Sequence, residues 1–148
     1  MYCEMALYYF LKGMRLDEAW DDLSKRFGYH QDITYSMEFF GSEGQAKMDN
    51  LMNVLHNDPF IEINGLKVVQ VDDIEKSVRL TKQGTSPINL PKSNVVKLYL
   101  EDGSIVTVRP SGTEPKVKFY IGTKLKEKPT DNSFPEALYK GIKEVLHL

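Results

Sequence analysis

Between Val95 and Ile121 three segments rich in β-branched and apolar residues follow one another closely, and that spacing leaves few folds open. Val95–Leu100 and Ile105–Arg109 flank Glu101-Asp102-Gly103-Ser104, where the Asp-Gly pair suits a tight primed hairpin turn. Val117–Ile121 follows after one loop. Connectors this short join antiparallel neighbours, because a parallel pair needs a long crossover. Upstream, Ile33–Phe40 and Lys67–Val71, the latter behind Gly65, read as further strands. Met48, Leu51, Met52 and Leu55 fall on one helical face after a capping box of Ser42 and Gln45, and Asp58-Pro59 stops that helix. A second box, Ser133 and Glu136, opens a last helix with Leu138, Ile142 and Val145 inward. Residues 75–94, with Gly84, Pro87 and Pro91, read mainly as loop. The expected class is α+β: a mostly antiparallel sheet with helices packed on one face.

The first thirty residues have a different character. Tyr2–Leu11 is a nearly unbroken apolar and aromatic run with no capping residue before it, the pattern of an internal helix buried in a larger protein, with Met1 an internal residue. Gly13 interrupts the pattern. Leu16, Ala19, Trp20, Leu23 and Phe27 then recur at helical spacing, and Gly28 stands at a C-cap position. Residues 1–30 are therefore expected to form a helical hairpin, the tail of a preceding domain, and 31–148 an α+β domain.

A net charge of −2 gives no electrostatic case for nucleic-acid or membrane binding. No apolar run approaches a bilayer span, and the N-terminus lacks the form of a signal peptide. Cys3 is the lone cysteine and His30, His56 and His147 are scattered, so no zinc-ligand spacing arises and a reducing cytoplasm fits.

The sharpest chemical signal is Arg109-Pro110-Ser111-Gly112-Thr113-Glu114-Pro115-Lys116, set between two strands. A phosphate dianion needs converging donors and a closely approaching backbone. Arg109 offers a planar fork, and Ser111 and Thr113 offer hydroxyls on either side of Gly112. Gly112 is able to take positive φ and turn successive N–H groups into one concavity. Pro110 and Pro115 stiffen the flanks. Strand alternation puts Lys118 and Tyr120 on one face and Val117, Phe119 and Ile121 on the other, with Lys118 a second cation for the same pocket. The competing reading is an ordinary turn with Arg109 paired to Glu114, whose carboxylate orients Arg109 or Lys116.

Arg-Pro-Ser-Gly-Thr-Glu-Pro-Lys-Val-Lys-Phe-Tyr, residues 109–120, resembles the phosphate-binding loop of the α-D-phosphohexomutases. Leu90-Pro91-Lys92-Ser93-Asn94-Val95, leading into Leu98-Tyr99-Leu100-Glu101-Asp102-Gly103, resembles the stretch before it in bacterial phosphoglucomutases. The resemblance implies that Arg109, Ser111, Gly112 and Thr113, with Lys118, contact the phosphate of a hexose phosphate or sugar bisphosphate. It also implies that the missing N-terminal domains of the same chain complete the cleft. The family's Ser-His-Asn-Pro, Asp-Gly-Asp-Gly-Asp and Glu-x-Ser-Gly loops have no match here. The expectation is thus no catalytic residue, no metal ligand and no cofactor in this stretch, with magnesium in the full-length enzyme. Phosphoglucomutase activity through a phosphoserine, phosphomannomutase or phosphopentomutase activity, and a non-enzymatic sugar-phosphate-binding or interaction module all stay open.

Three other features have simpler readings. Gly41-Ser42-Glu43-Gly44 matches the Gly-x-x-Gly loop of RNA-binding KH modules, but Glu43 repels a nucleic-acid backbone and Ser42 suits an N-cap. Asp21-Asp22 and Asp72-Asp73 read as solvated surface. Trp20 with Tyr8, Tyr9 and Phe10 reads as core or as contact with the missing domain.

Overall fold

In the computed structural model, which describes residues 1–41 and 43–148, two N-terminal helices lead into the sheet. These are α1 (Tyr2–Leu11) and α2 (Leu16–Phe27), followed by β1 (Tyr29–Glu38), α3 (Gly44–Asn57), β2 (Glu62–Ile63) and β3 (Leu66–Asp73). Then come β4 (Val78–Thr81), β5 (Gly84–Pro87), β6 (Val96–Leu100), β7 (Ile105–Pro110), β8 (Lys116–Leu125) and α4 (Ser133–Val145). The sheet order is β1-β8-β7-β6-β3-β4-β5, with β2 on β3, and each pairing is antiparallel. The α+β class holds.

One face of the sheet carries the core. Val68, Val71, Val96, Leu98, Leu100, Val106, Val108, Val117, Phe119 and Ile121 are all buried there, against Met48, Leu51, Met52 and Leu55 of α3 and Leu138 and Ile142 of α4. The apolar face read for α3 is thus the face it buries. Tyr139 fixes α4 by stacking on Tyr35, centroids 4.2 Å apart and planes within 6°, and by an edge contact with Phe119 at 5.5 Å. Gly141 sets how closely α4 approaches the β2–β3 turn: a Cβ there would lie 2.8 Å from the backbone nitrogen of Asn64.

Several local details differ from the sequence reading. Residues 78–87 form the β4–β5 hairpin rather than loop, with Val78 opposite Pro87 and Thr81 opposite Gly84. Their polar composition suits an exposed edge, which an apolar-alternation search overlooks. The Asn64-Gly65 pair, both residues at positive φ (50° and 80°), makes the tight primed turn that closes β2 on β3. At Asp102-Gly103 the connection is longer: Leu100 N–H donates to Ser104 O at 2.8 Å, and Gly103 takes φ of 89°. The Asp102 carboxylate holds this loop by accepting from the Ser104 N–H and hydroxyl at 3.0 and 2.7 Å.

The capping residues shift too. Ser133 is the first residue of α4, its N–H bonded to Asp131 Oδ1 at 3.0 Å, and Asn132 stands at the cap position without a side-chain bond. The box expected from Ser42 falls on a residue outside those described, and α3 starts from Glu43. Asp72 and Asp73 are buried rather than solvated. Arg79 grips Asp72 through two bonds of 2.7 and 2.8 Å. Burial pushes the Asp72 carboxyl up, but the bonds from Arg79 and Tyr99 and the charges of Arg79 and Lys97 outweigh it, so the group sits below the usual carboxylate range.

The N-terminal hairpin is tied to the rest chiefly where α2 meets β1 and by Lys128 with Asp21, 2.8 Å apart. No residue of α1 is buried, and Leu7, Tyr8, Phe10, Leu11, Trp20 and Phe27 are exposed. Gly28 ends α2 with φ of 95°, as its position in the sequence implies.

Gly141→Ala tests the α4 contact. Helix propensity alone favours alanine by about 1 kcal/mol. Crowding against backbone reverses the sign, and a net loss of about 1–3 kcal/mol in denaturant unfolding is expected.

Candidate functional site

The Arg109–Lys116 loop joins β7 to β8, and the pairing of those strands aims it. Val106 and Val108 on β7 and Val117 and Phe119 on β8 face the core, so Arg109 stands on the opposite, open face beside its cross-strand partner Lys118. The base of the loop is closed by the Ser111 N–H donating to Lys116 O at 2.7 Å. Phe39, just past β1, donates its N–H to Pro115 O at 2.8 Å and braces the far side. Within the loop, Ser111 Oγ lies 3.4 Å from both Thr113 Oγ1 and Thr113 N. Among the described residues, the N–H groups of Gly112 and Glu114 have no acceptor within the chain, so they remain available to a ligand.

This loop forms one wall of a cleft of about 480 Å³, which Arg109, Ser111, Gly112 and Thr113 all line. The sequence reading thus brought together four residues that share one concavity. Lys118 does not line that cleft; it projects from the open face of β8 next to Arg109. Sequence reasoning missed the other walls. Gln45, Met48 and Asp49 come from the first half of α3, and Ser93, Asn94 and Val95 from the segment entering β6. Leu90–Val95 carried a resemblance signal, whereas nothing local in Gln45 or Asp49 points to a cleft.

The electrostatics are mixed. Among the described residues Arg109 has no ion-pair partner, so its fork is uncommitted. The pairing with Glu114 that an ordinary turn would use is not formed. Lys116 instead bonds Glu38 at 3.0 Å. That bond, Glu38's charge and a further contribution from Glu114 hold the Lys116 ammonium above its ordinary range. Asp49 is engaged by Gln45 Nε2 at 2.8 Å. With the Asp49 and Glu114 carboxylates on its rim, the cleft is not a bulk attractor of anions.

Gly112 does not take the positive φ expected of it, and a Cβ there would meet nothing within 4 Å. The loop reaches its shape through the closing bonds on either side rather than through a left-handed glycine.

The sequence profile described as the C-terminal domain of phosphoglucomutase/phosphomannomutase matches residues 51–132. The chain belongs to this family. A phosphoglucomutase of Staphylococcus epidermidis is 38% identical over 112 residues, covering 74% of this chain and 20% of that relative. A phosphoglucomutase of Staphylococcus aureus is 38% identical over 123 residues, covering 82% of this chain and 21% of that relative. The chain thus spans about a fifth of the length of these relatives. In three dimensions it is similar to the crystal structure of the Paramecium exocytosis-sensitive phosphoprotein pp63/parafusin in its open form. That match has a TM-score of 0.50 at 20% identity, over 90% of this chain and 22% of the other.

For this phosphohexomutase domain, no group of three or more His, Cys, Asp or Glu among the described residues is placed to hold a metal ion. None of its described helices is long and apolar enough to cross a membrane.

The glycines separate loop shape from ligand approach. Gly112→Ala should leave unfolding free energy within about 0.5 kcal/mol of the original. Gly44→Ala, whose Cβ would lie 2.6 Å from Phe39 O, should destabilise measurably in the same chemical-denaturation experiment.

Proposed function

We propose that the chain is the substrate-phosphate-binding domain of a phosphoglucomutase-type enzyme. The enzyme interconverts hexose 1-phosphate and hexose 6-phosphate through a phosphoserine and a sugar bisphosphate. The observation that carries this reading is Arg109, without an ion-pair partner among the described residues, lining one cleft with Ser111 and Thr113. Such a clamp reads a phosphate and not the sugar. It therefore holds either end of a bisphosphate while the other end reaches the phosphoserine. Lys118, beside Arg109 on the open face, adds positive charge at the cleft's edge and meets a phosphate that extends past the loop.

On this reading residues 1–30 are the tail of the preceding domain and 31–148 the phosphate-binding domain. The exposed apolar side chains of α1 and α2 then pack against that preceding domain. The phosphoserine, the magnesium ligands and the sugar-selecting loop belong to the rest of the enzyme, which works in the cytoplasm. Magnesium supplies charge stabilisation to the transferring phosphoryl group; the residues of this chain bind and orient the distal phosphate. The purified 148-residue chain should accordingly show no mutase turnover in a coupled assay at any magnesium concentration.

Relative donor strength sets the order of mutational effects. Hydrogen bonds from a charged group are worth about 1.5–3 kcal/mol, against about 0.5–1.5 for neutral ones. In the full-length mutase, Arg109→Ala should lower kcat/KM by about tenfold to several hundredfold, more than Ser111→Ala or Thr113→Ala. Arg109→Lys should recover part of the loss, because a point charge does not reproduce the fork. A folded Arg109→Ala enzyme that turns over substrate like the wild type would return the loop to the ordinary-turn reading.

A further inference from the structure

The two edges of the sheet are built differently. β5 closes one side with four residues, Gly84–Pro87, all exposed, and Pro87 has no N–H to offer a further strand. β1 closes the other side. It runs ten residues, Tyr29–Glu38, and pairs with β8 in an unbroken register. Proline, lysine and bulges blunt natural edge strands, and β1 contains none of them.

Two bonds show which backbone groups of this edge are free. The Phe39 N–H donates to Pro115 O at 2.8 Å, and the Gln31 carbonyl accepts from Thr123 Oγ1 at 3.4 Å. Odd-numbered residues therefore turn their N–H and C=O groups toward β8. Alternation turns those of His30, Asp32, Thr34, Ser36 and Glu38 outward. Among the described residues these outward groups have no partner. The side chains of the same residues are exposed on the open face of the sheet. On the helix face Ile33, Tyr35 and Met37 are half-buried, with Tyr35 and Met37 packed against the core.

A second copy of β1, running antiparallel, answers every one of these groups in one register. With Thr34 opposite its own equivalent on a two-fold axis, Asp32 meets Ser36 and His30 meets Glu38, and each pair exchanges two backbone bonds. The Ser36 hydroxyl donates to the Asp32 carboxylate. Glu38 Oε1 holds Lys116, which leaves Oε2 for the His30 ring of the other copy. On the helix face Ile33 meets Tyr35, a pairing of β-branched and aromatic side chains that stabilises sheets. Sliding one copy by two residues in one direction sets Asp32 opposite Glu38, carboxylate against carboxylate. Sliding it in the other direction leaves Glu38 opposite Gly28, beyond the strand. Charge thus selects the register that uses all the free groups.

We propose that β1 is a self-association edge: two copies of this chain join antiparallel through it, forming one continuous sheet with the helices of both on the same side. The two-fold axis passes through Thr34, perpendicular to the sheet. Because Glu38 pairs with Lys116 at the base of the Arg109–Lys116 loop, the loops of the two copies lie at opposite ends of the joint. The proposal does not depend on what those loops bind.

Sedimentation equilibrium of the 148-residue chain reads the association. Thr34 is exposed and its N–H takes no part in the β1–β8 ladder, so changes there act on the edge. Thr34→Pro removes the donors on the axis and should weaken the dimer by about tenfold or more. Thr34→Lys and Thr34→Asp each set like charges against one another on the axis and should weaken it by about tenfold or more. An equimolar mixture of those two charged variants sets an ammonium against a carboxylate. It should restore association as a heterodimer, identified by its mass in native mass spectrometry. The exposed apolar side chains of α1 and α2 are the competing route to a dimer. The double change Phe10→Ser and Trp20→Ser should leave the dissociation constant within about twofold.

A wild type that stays monomeric up to about millimolar concentration overturns the proposal. So does a dimer that survives the Thr34 variants, or one that is lost in a folded Phe10→Ser, Trp20→Ser chain. Far-UV circular dichroism checks folding throughout. If Thr34→Pro unfolds, the charged pair decides: failure of the mixture to form the heterodimer refutes the edge.

Discussion

The pairing of β7 with β8 is the constraint on which everything else at the cleft depends. Val108 opposite Phe119 and Val106 opposite Ile121 are buried side by side, and slipping the register by one residue would expose all four. That burial leaves Arg109 and Lys118 no choice of face, and it places Pro110 opposite Val117 so that the loop begins where the core ends. The position of the loop is therefore a by-product of hydrophobic packing.

The same core builds the opposing wall. α3 reaches the cleft because Met48, Leu51, Met52 and Leu55 bind it to the sheet, which carries Gln45 and Asp49 to the loop. Met48 belongs to both core and cleft, linking packing directly to site geometry. At its other end α3 delivers His56 to Asp73 and Asn94, so one helix supplies a wall of the cleft and a support for the facing one. The arrangement concentrates burial away from the loop. Arg109, Gly112 and Thr113 are exposed, while Met48, Val117 and Phe119 beneath them are buried.

Charge is handled by different means in different places. Asp72, buried in the sheet, is neutralised by the Arg79 fork; Lys116 is taken up by Glu38; Asp21 is met by Lys128. Arg109, chemically equivalent to Arg79, is left without such a partner among the described residues. Two arginines of the same sheet thus differ in role according to whether an acid lies across the ladder: Asp72 faces Arg79, whereas Lys118 faces Arg109.

Local chemistry alone determined much of this protein. Period-two and period-3.6 apolar patterns mark β6, β7, β8, α3 and α4, and the residues they assign inward lie in the core except Val145, which is only half-buried at the end of α4. The clustering of Arg, Ser, Gly and Thr in one short loop marks a wall of the cleft, because neighbours in sequence are neighbours in space there. Where the pattern weakens, so does its legibility. The β4–β5 edge hairpin is polar and is stabilised by backbone pairing, which has no side-chain signature. Only the tertiary structure decided that Asp72 and Asp73 are buried, that Lys118 stands outside the cleft, and that Gly112 needs no positive φ. The same holds for the convergence of Gln45 and Asn94 around the loop. Periodicity reports which face of an element is apolar; it carries no information on which distant elements that face will bring together.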